Sequence, residues 1–264
     1  MPVSRSSSRP FLSVVMPAFN EAGKLAKDLG ILFDYFEAQP YTTEVILVDD
    51  GSTDGTLDVL SGLRGVPGLR VLSYTPNRGK GHAVRTGVLA SRGAFVLFAD
   101  AGTCVPYRDI ERGFALMEEG CDVALGSRGL AASRVLVRQP AYRQVGSRIF
   151  GFVVRAGFGI ADIQDTQCGF KLFRRDVARD LFSAQRIDGF MFDVELIVNA
   201  RRFGYSVREF PVTWSNDPDT RFKPLSGSVR NLRELLRIKL GTLDAVRRRE
   251  LAAPCEVRAS LTLR

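Results

Sequence analysis

Two apolar runs of this chain end in carboxylates and are cut off at once by breaker residues. Glu44-Val45-Ile46-Leu47-Val48-Asp49-Asp50 runs into Gly51-Ser52-Thr53-Asp54-Gly55, and Ala94-Phe95-Val96-Leu97-Phe98-Ala99 hands over to Asp100. Each reads as a strand whose carboxyl end carries acid. In open α/β sheets ligands bind in the crevice beyond the carboxyl ends of parallel strands, so acids placed there point to a polar or metal-carrying ligand.

From Phe11 to Gly126 short β-branched or aromatic stretches alternate with longer helix-compatible ones. That is the pattern of repeated βα units, hence of an α/β fold with a mostly parallel open sheet flanked by helices. Leu12 to Met16 is the first strand and Pro17 to Asn20 its exit loop; Glu21 to Phe36 carries Leu25, Leu29, Leu32, Phe33 and Phe36 at helical spacing. Asp54 caps a helix holding Leu57, Val59 and Leu60, Leu69 to Tyr74 is a third strand, and Asn77 to Gly81 opens the next helix. Ala94 to Ala99, a helix with Ile110, Phe114, Leu116 and Met117, and a fifth strand from Cys121 to Leu125 follow. Beyond Gly126 an arginine-rich stretch leads to an apolar helix at Ile149 to Val154 and a polar segment from Asp162 to Lys171. Gly189 to Phe203 reads as a helix, Tyr205 to Pro211 as a strand and Val229 to Val246 as a basic helix, with no internal repeat. The expected organisation is a disordered N-terminus over 1–10, one domain over 11–243 with halves 11–126 and 127–243, and a basic tail over 244–264.

With 264 residues and 45% hydrophobic content the chain can bury one large core. Its 37 Lys plus Arg against 29 Asp plus Glu leave +8, which favours anionic partners: nucleotides, phosphates, acidic lipids or nucleic acid. No nucleic-acid-binding motif accompanies the charge, so no nucleic-acid partner is expected. Cys104, Cys121, Cys168 and Cys255 are scattered and His82 stands alone, which leaves no His/Cys metal cluster and suits a reduced, cytoplasmic setting. The polar N-terminus shows no secretory signal, and no segment approaches the ~18–20 consecutive apolar residues that cross a bilayer. Membrane contact is therefore expected to be peripheral, and a homo-oligomer stays open.

In Val14-Val15-Met16-Pro17-Ala18-Phe19-Asn20-Glu21 a strand delivers a proline turn, an aromatic ring and a carboxylate to the sheet edge that also carries Asp50. Such a set suits a nucleoside; alone it reads equally as a strand end, a packed ring and a helix cap. Asn77-Arg78-Gly79-Lys80-Gly81 follows a strand and opens a helix, so its glycines permit close backbone approach while the helix N-terminus and Lys80 favour phosphate. It is neither a Walker loop, because Gly81 stands where Ser or Thr is required, nor a dinucleotide fingerprint. Arg143 and Ser147 are four apart and share a face if helical; with Arg128 they suit a phosphate headgroup, or else form a solvated basic face.

Taken in order, Pro17-Ala18-Phe19-Asn20-Glu21, Val48-Asp49-Asp50-Gly51-Ser52-Thr53-Asp54, Asn77-Arg78-Gly79-Lys80-Gly81 and Asp100-Ala101 resemble the family-two glycosyltransferases. Gly126-Ser127-Arg128, Asp165-Thr166-Gln167-Cys168-Gly169-Phe170-Lys171 and Phe192-Asp193-Val194-Glu195-Leu196 are similar to the polyprenyl-phosphate branch, most of all to dolichyl-phosphate glucosyltransferases, over about Phe11 to Leu240. The resemblance implies a GT-A fold and inverting transfer of a hexose, glucose from UDP-glucose, onto a polyprenyl or dolichyl phosphate at the cytosolic membrane face. A GDP-mannose-dependent mannosyltransferase is the near alternative, and a noncatalytic sugar-nucleotide or lipid-phosphate binding protein the distant one. It also implies that Pro17, Phe19, Glu21 and Asp50 surround the nucleoside; Arg78, Lys80 and Ala101 are expected to join them around the nucleotide-sugar, and the loop from Trp214 to Lys223 offers Arg221 or Lys223 to close over the diphosphate. Arg128, Arg143 and Ser147 fall to the acceptor phosphate and Asp100 to the diphosphate and catalysis; Asp165 and Asp193 are candidate catalytic acids on their residue type alone, or else helix caps and Arg partners. Asp100 would also bear a divalent metal, Mg²⁺ or Mn²⁺, yet the family's aspartate-x-aspartate is here Asp100-Ala101-Gly102. The second carboxylate is missing, and Cys104 is a poor ligand for a hard cation, which leaves Asp100, the diphosphate and water.

A phosphate acceptor is already deprotonated at neutral pH and needs no base; a hydroxyl acceptor would call on Asp165, Asp193 or Glu195. The basic helix interleaves Val229, Leu232, Leu235, Leu236 and Leu243 with Arg230, Arg233, Arg237, Lys239 and Arg247-Arg248-Arg249. It either rests on an anionic membrane or docks on the core with a basic side outward.

Overall fold

The computed structural model describes residues 9–63, 65–137, 151, 154–215 and 229–241. Most of the expected N-terminal disorder and the Ile149–Val154 helix, and all of the tail over 244–264, lie outside them. The chain divides into two compact units, Met1–Phe222 and Lys223–Arg264.

In the first unit the βα rhythm is realised as β1 (Leu12–Ala18), α1 (Leu25–Glu37), β2 (Thr43–Asp49), α2 (Thr56–Gly62), β3 (Leu69–Ser73), α3 (Lys80–Ala90), β4 (Phe95–Ala99), α4 (Ile110–Glu118) and β5 (Val123–Ser127). The second half adds β6 (Arg134–Val137), β7 (Phe170–Arg174), α5 (Arg175–Ala184), α6 (Phe192–Phe203), β8 (Val207–Pro211) and β9 (Thr213–Ser215). Seven strands form one sheet in the order β3-β2-β1-β4-β7-β5-β8, and β6 and β9 pair separately. All pairs of the large sheet are parallel except those of β7, which runs antiparallel to β4 and β5. Because β7 runs the other way, its first residues enter at the edge where β4 ends, and Phe170 lies opposite Ala99. Strands 1, 2, 4 and 5 are buried almost throughout, as a sheet covered on both faces requires.

Three local readings change. β1 runs on through Pro17 to Ala18 instead of leaving the sheet at Met16; its pairing with β4 has ended at Val15, so the missing proline N–H costs no ladder bond on that side. α1 begins at Leu25, because Glu21 first accepts the Lys24 and Leu25 amides in a turn. The segment read as polar up to Lys171 in fact starts β7, and Lys171 is 1% exposed inside it. Asp54 caps α2 from one residue before its N-cap Gly55, accepting the Thr56 amide at 2.9 Å.

Lys171 survives burial because its ammonium donates to Asp193 Oδ1 at 2.5 Å and to the Cys168 carbonyl at 2.7 Å. Both side chains of the pair are almost solvent-free, so the attraction works in a low dielectric and each ion depends on the other. Lys171→Met is expected to cost about 3–5 kcal/mol in urea unfolding by leaving Asp193 buried and unpaired. Lys171→Met with Asp193→Leu should recover most of that loss; a single variant as stable as the parent would contradict this role.

Candidate active site

The crevice edge is organised first by Asp50, the residue after β2. Its carboxylate accepts Tyr74 Oη at 2.8 Å, Asn77 Nδ2 at 2.8 Å, the Arg78 amide at 2.9 Å and the Gly79 amide at 2.9 Å. Four donors fill the acceptor capacity of a carboxylate. They pin the loop between β3 and α3, so that Lys80 emerges at a fixed point on the first turn of α3. In the bend after the neighbouring strand β1, Asn20 donates its amide to Ser52 Oγ at 2.8 Å and its Oδ1 accepts the Thr53 amide at 2.7 Å. This ties Pro17, Phe19 and Glu21, all half-buried, to the same edge. Glu21 itself pairs with Lys24 at 3.0 Å, and exposed Arg78 lies over the Tyr74 ring at 5.7 Å.

Asp100, beyond β4, meets Lys80 Nζ through both oxygens, at 2.7 and 2.9 Å. Phe98 lies beneath, with the Lys80 and Lys171 ammoniums 5.3 and 5.7 Å from its ring centroid. The Asp100 amide donates to the Gly169 carbonyl at 2.9 Å, and a Cβ on residue 169 would fall 1.9 Å from Asp100 Oδ2, so only glycine admits the carboxylate there. Ala101 is half-buried in the turn that follows. Gly102 has φ +102°, a conformation unfavourable to an aspartate, and donates its amide to Asp28 Oδ2 at 2.8 Å. Position 102 is thus lost as an acid in both composition and backbone shape. Among the described residues no group of three or more His, Cys, Asp or Glu side chains gathers to hold a metal ion.

The third part stands at the end of β5. Arg128 grips Asp165 with Nε to Oδ2 at 2.6 Å, Nη2 to Oδ1 at 2.8 Å and its own amide to Oδ2 at 3.0 Å. Glu209 on β8 holds the backbone beneath by accepting the Gln164 and Asp165 amides at 2.7 and 2.8 Å. Burial alone would raise the Asp165 pKa, but the Arg128 guanidinium and its hydrogen bonds outweigh burial and hold it below the usual carboxylate range. The Arg128 fork still presents Nη1, which has no hydrogen-bond partner among the described residues, and its Cζ lies 5.3 Å from the Trp214 ring centroid.

These clusters share one field. Asp100 acts electrostatically on Arg128 and Cys168, and Asp193 acts on Lys80, so acids of the first half and cations of the second converge at β7. Burial works against the charge on Lys80, but Asp100 and Asp193 overcome it and raise its pKa. Burial raises Asp193 despite Lys171, and pushes the Cys168 thiol up to about 12. Of the three candidate catalytic acids, Asp100 alone is substantially open, its side chain 32% exposed against 9% for Asp165 and 4% for Asp193. Glu195 is spent on the Arg186 and Ile187 amides. Arg143, Ser147 and Arg221 lie outside the described residues. Sequence reasoning missed Tyr74, Asn77, Gly169 and Trp214 as site-builders. Asn77, within the glycine-rich turn, and Gly169, within the Asp165–Lys171 motif, stood beside legible signals; Tyr74 and Trp214 did not.

A sequence model of Glycosyl transferase family 2 matches residues 13–182. The dolichyl-phosphate beta-glucosyltransferase of Drosophila melanogaster is 34% identical over 241 residues, covering 86% of this chain and 74% of that protein. The Homo sapiens protein of the same name is 33% identical over 258 residues, covering 90% and 78%. Among solved structures, glucosyl-3-phosphoglycerate synthase from Mycobacterium tuberculosis, in complex with Mn²⁺, UDP and phosphoglyceric acid, superposes with a TM-score of 0.60 at 20% identity, covering 88% of this chain and 78% of that one. A mannosyltransferase from Pyrobaculum calidifontis, in complex with GDP-Man and Mn²⁺, does so at 0.56 and 22%, covering 81% and 59%. The fold is the GT-A arrangement expected from the sequence.

Because the folded pKa of Asp165 is depressed, its stabilisation is present above the unfolded carboxylate value and lost as pH falls through the folded one. Asp165→Asn is therefore expected to cost about 3 kcal/mol at pH 7, with the gap to the parent narrowing below about pH 4. Urea midpoints at the two pH values check this; a gap independent of pH would contradict it.

Proposed function

Since the chain belongs to Glycosyl transferase family 2, we propose that it transfers glucose from UDP-glucose, with inversion, onto the phosphate of a dolichol or related polyprenol. The observation that carries the reading is the convergence of Asp100 and Lys80 with Arg128 at the mouth of β7. The names of the relatives at 30–34% identity support glucose as the sugar and dolichyl phosphate as the acceptor.

An acceptor phosphate oxygen attacks the anomeric carbon, the bond from that carbon to the β-phosphate oxygen breaks, and the electron pair leaves with UDP. The nucleophile is already an anion, so no base is required, which suits a cleft whose Asp165 and Asp193 are committed to Arg128 and Lys171. Lys80 and the N-terminus of α3 meet the charge developing on the diphosphate. Asp50 acts by fixing the loop that carries them, Pro17, Phe19 and Glu21 flank the nucleoside, and the free edge of Arg128 receives the acceptor phosphate. Arg143, Ser147 and Arg221 retain their assignments to the acceptor phosphate and the diphosphate. A divalent cation would find Asp100 as its one open carboxylate, with both oxygens already held by Lys80. Hard cations take about six or more oxygens, so the described residues do not by themselves build that site. With its acceptor in a membrane, the protein works peripherally at the cytosolic face; no described helix is long and apolar enough to cross a bilayer.

Assays with labelled UDP-glucose and GDP-mannose and a short polyprenyl phosphate should show glucosyl transfer from the uridine donor. Lys80→Met is expected to lower kcat at least about 100-fold, as removal of a single transition-state stabiliser does, and Asp100→Ala to abolish transfer. Binding of both ligands without transfer would instead indicate a noncatalytic protein, and preference for GDP-mannose would overturn the donor.

A further inference from the structure

Trp214 is the only tryptophan of the chain and stands in the middle of β9, opposite Val135 of β6. Both of its neighbours in the strand are tied down. The Thr213 amide donates to Asp109 Oδ2 at 2.6 Å and the Ser215 amide to the Cys104 carbonyl at 2.9 Å, so both bonds run to the segment that follows Asp100. Asp109 is buried and accepts Arg112 Nη1 at 2.8 Å; the same nitrogen donates to the Pro211 carbonyl at the end of β8, at 3.0 Å. The half-buried indole packs against the hydrophobic core, and the Arg128 guanidinium lies over its ring.

Arg128 is thereby confined in two directions. Asp165 takes Nε and Nη2 in the plane of the guanidinium, and the indole covers one of its faces. What is left for an anion is the outer edge, formed by Nη1 and the second N–H of Nη2. An arginine on a free stem loses rotamer freedom whenever an anion docks, whereas one already clamped does not. An aromatic ring suits this clamp better than an aliphatic side chain, because its negative face attracts the cation and its flat surface matches the weakly hydrated guanidinium plane. We propose that Trp214 is a positioning residue for the acceptor, holding the open edge of Arg128 at one angle toward the incoming phosphate. The inference rests on the reading of Arg128 as the receptor of the acceptor phosphate and deepens it by naming what sets its orientation. As the sole tryptophan lies against that guanidinium, its emission reports directly on the edge where the phosphate docks.

Steady-state transfer to a short polyprenyl phosphate, together with the intrinsic fluorescence of the full chain, tests it. Trp214→Leu keeps an apolar side chain and removes the aromatic face; it is expected to raise the acceptor KM about tenfold, with kcat and the KM for UDP-glucose within about twofold of the parent. Trp214→Phe should recover most of the acceptor KM. Emission of the parent should change saturably with the short polyprenyl phosphate and far less with UDP alone. A parent-like acceptor KM in Trp214→Leu, a rise that Trp214→Phe leaves uncorrected, a defect confined to kcat or to the KM for UDP-glucose, or emission that follows UDP and ignores the polyprenyl phosphate would each overturn the proposal. If urea unfolding shows that Trp214→Leu does not fold, the emission titration of the parent decides. Failure of the parent to transfer to any acceptor would overturn the proposed function instead, and the same titration then decides the role of Trp214: a saturable response to the polyprenyl phosphate upholds it, and none removes it.

Discussion

The arrangement depends on one buried ion pair. Lys171 sits in the strand that runs against its neighbours, and Asp193 stands in the first turn of α6; neither charge could remain there without the other. Their contact locks α6 against β7, and the antiparallel pairing of β7 with β4 sets the entry of β7 beside the end of β4. From that juxtaposition follow the contact of Gly169 with Asp100, the shared Phe98 ring beneath two ammoniums, and the meeting of charges from both halves of the chain.

The candidate site uses its acids in two different ways. Asp50, Asp165 and Asp193 are saturated or paired and act as fixed points, holding a loop, an arginine and a lysine. Asp100 is the one left substantially open, and Lys80 is delivered to it by the loop that Asp50 anchors. A site built in this way supplies preorganised charge more readily than proton transfer. Displacement by an acceptor that is already an anion is chemistry of that kind.

The sequence exposed the parts whose signal is local. Acid at the end of an apolar run and a glycine-rich turn before a helix can be read from a few neighbouring residues, and Asp50, Lys80 and Asp100 stand at the predicted sheet edge. β7 was hidden because Lys171 reads as a surface residue unless its distant partner is known. Pro17 reads as a strand end, although the strand continues along the edge that β4 has already left. The need for glycine at 169 arises from a side chain 69 positions earlier in the chain. Each of these depends on a long-range contact, which a periodicity argument does not carry.

The central claim is spatial: one cleft holds the diphosphate of a nucleotide-sugar beside the phosphate that displaces it. A crystal structure of the protein with UDP and inorganic phosphate bound together tests this most directly. The account predicts the β-phosphate of UDP at hydrogen-bonding distance from Lys80 Nζ, with the second phosphate on the outer edge of Arg128 and facing it. Diphosphate and phosphate on separate surfaces, or Lys80 turned away from both, would contradict it.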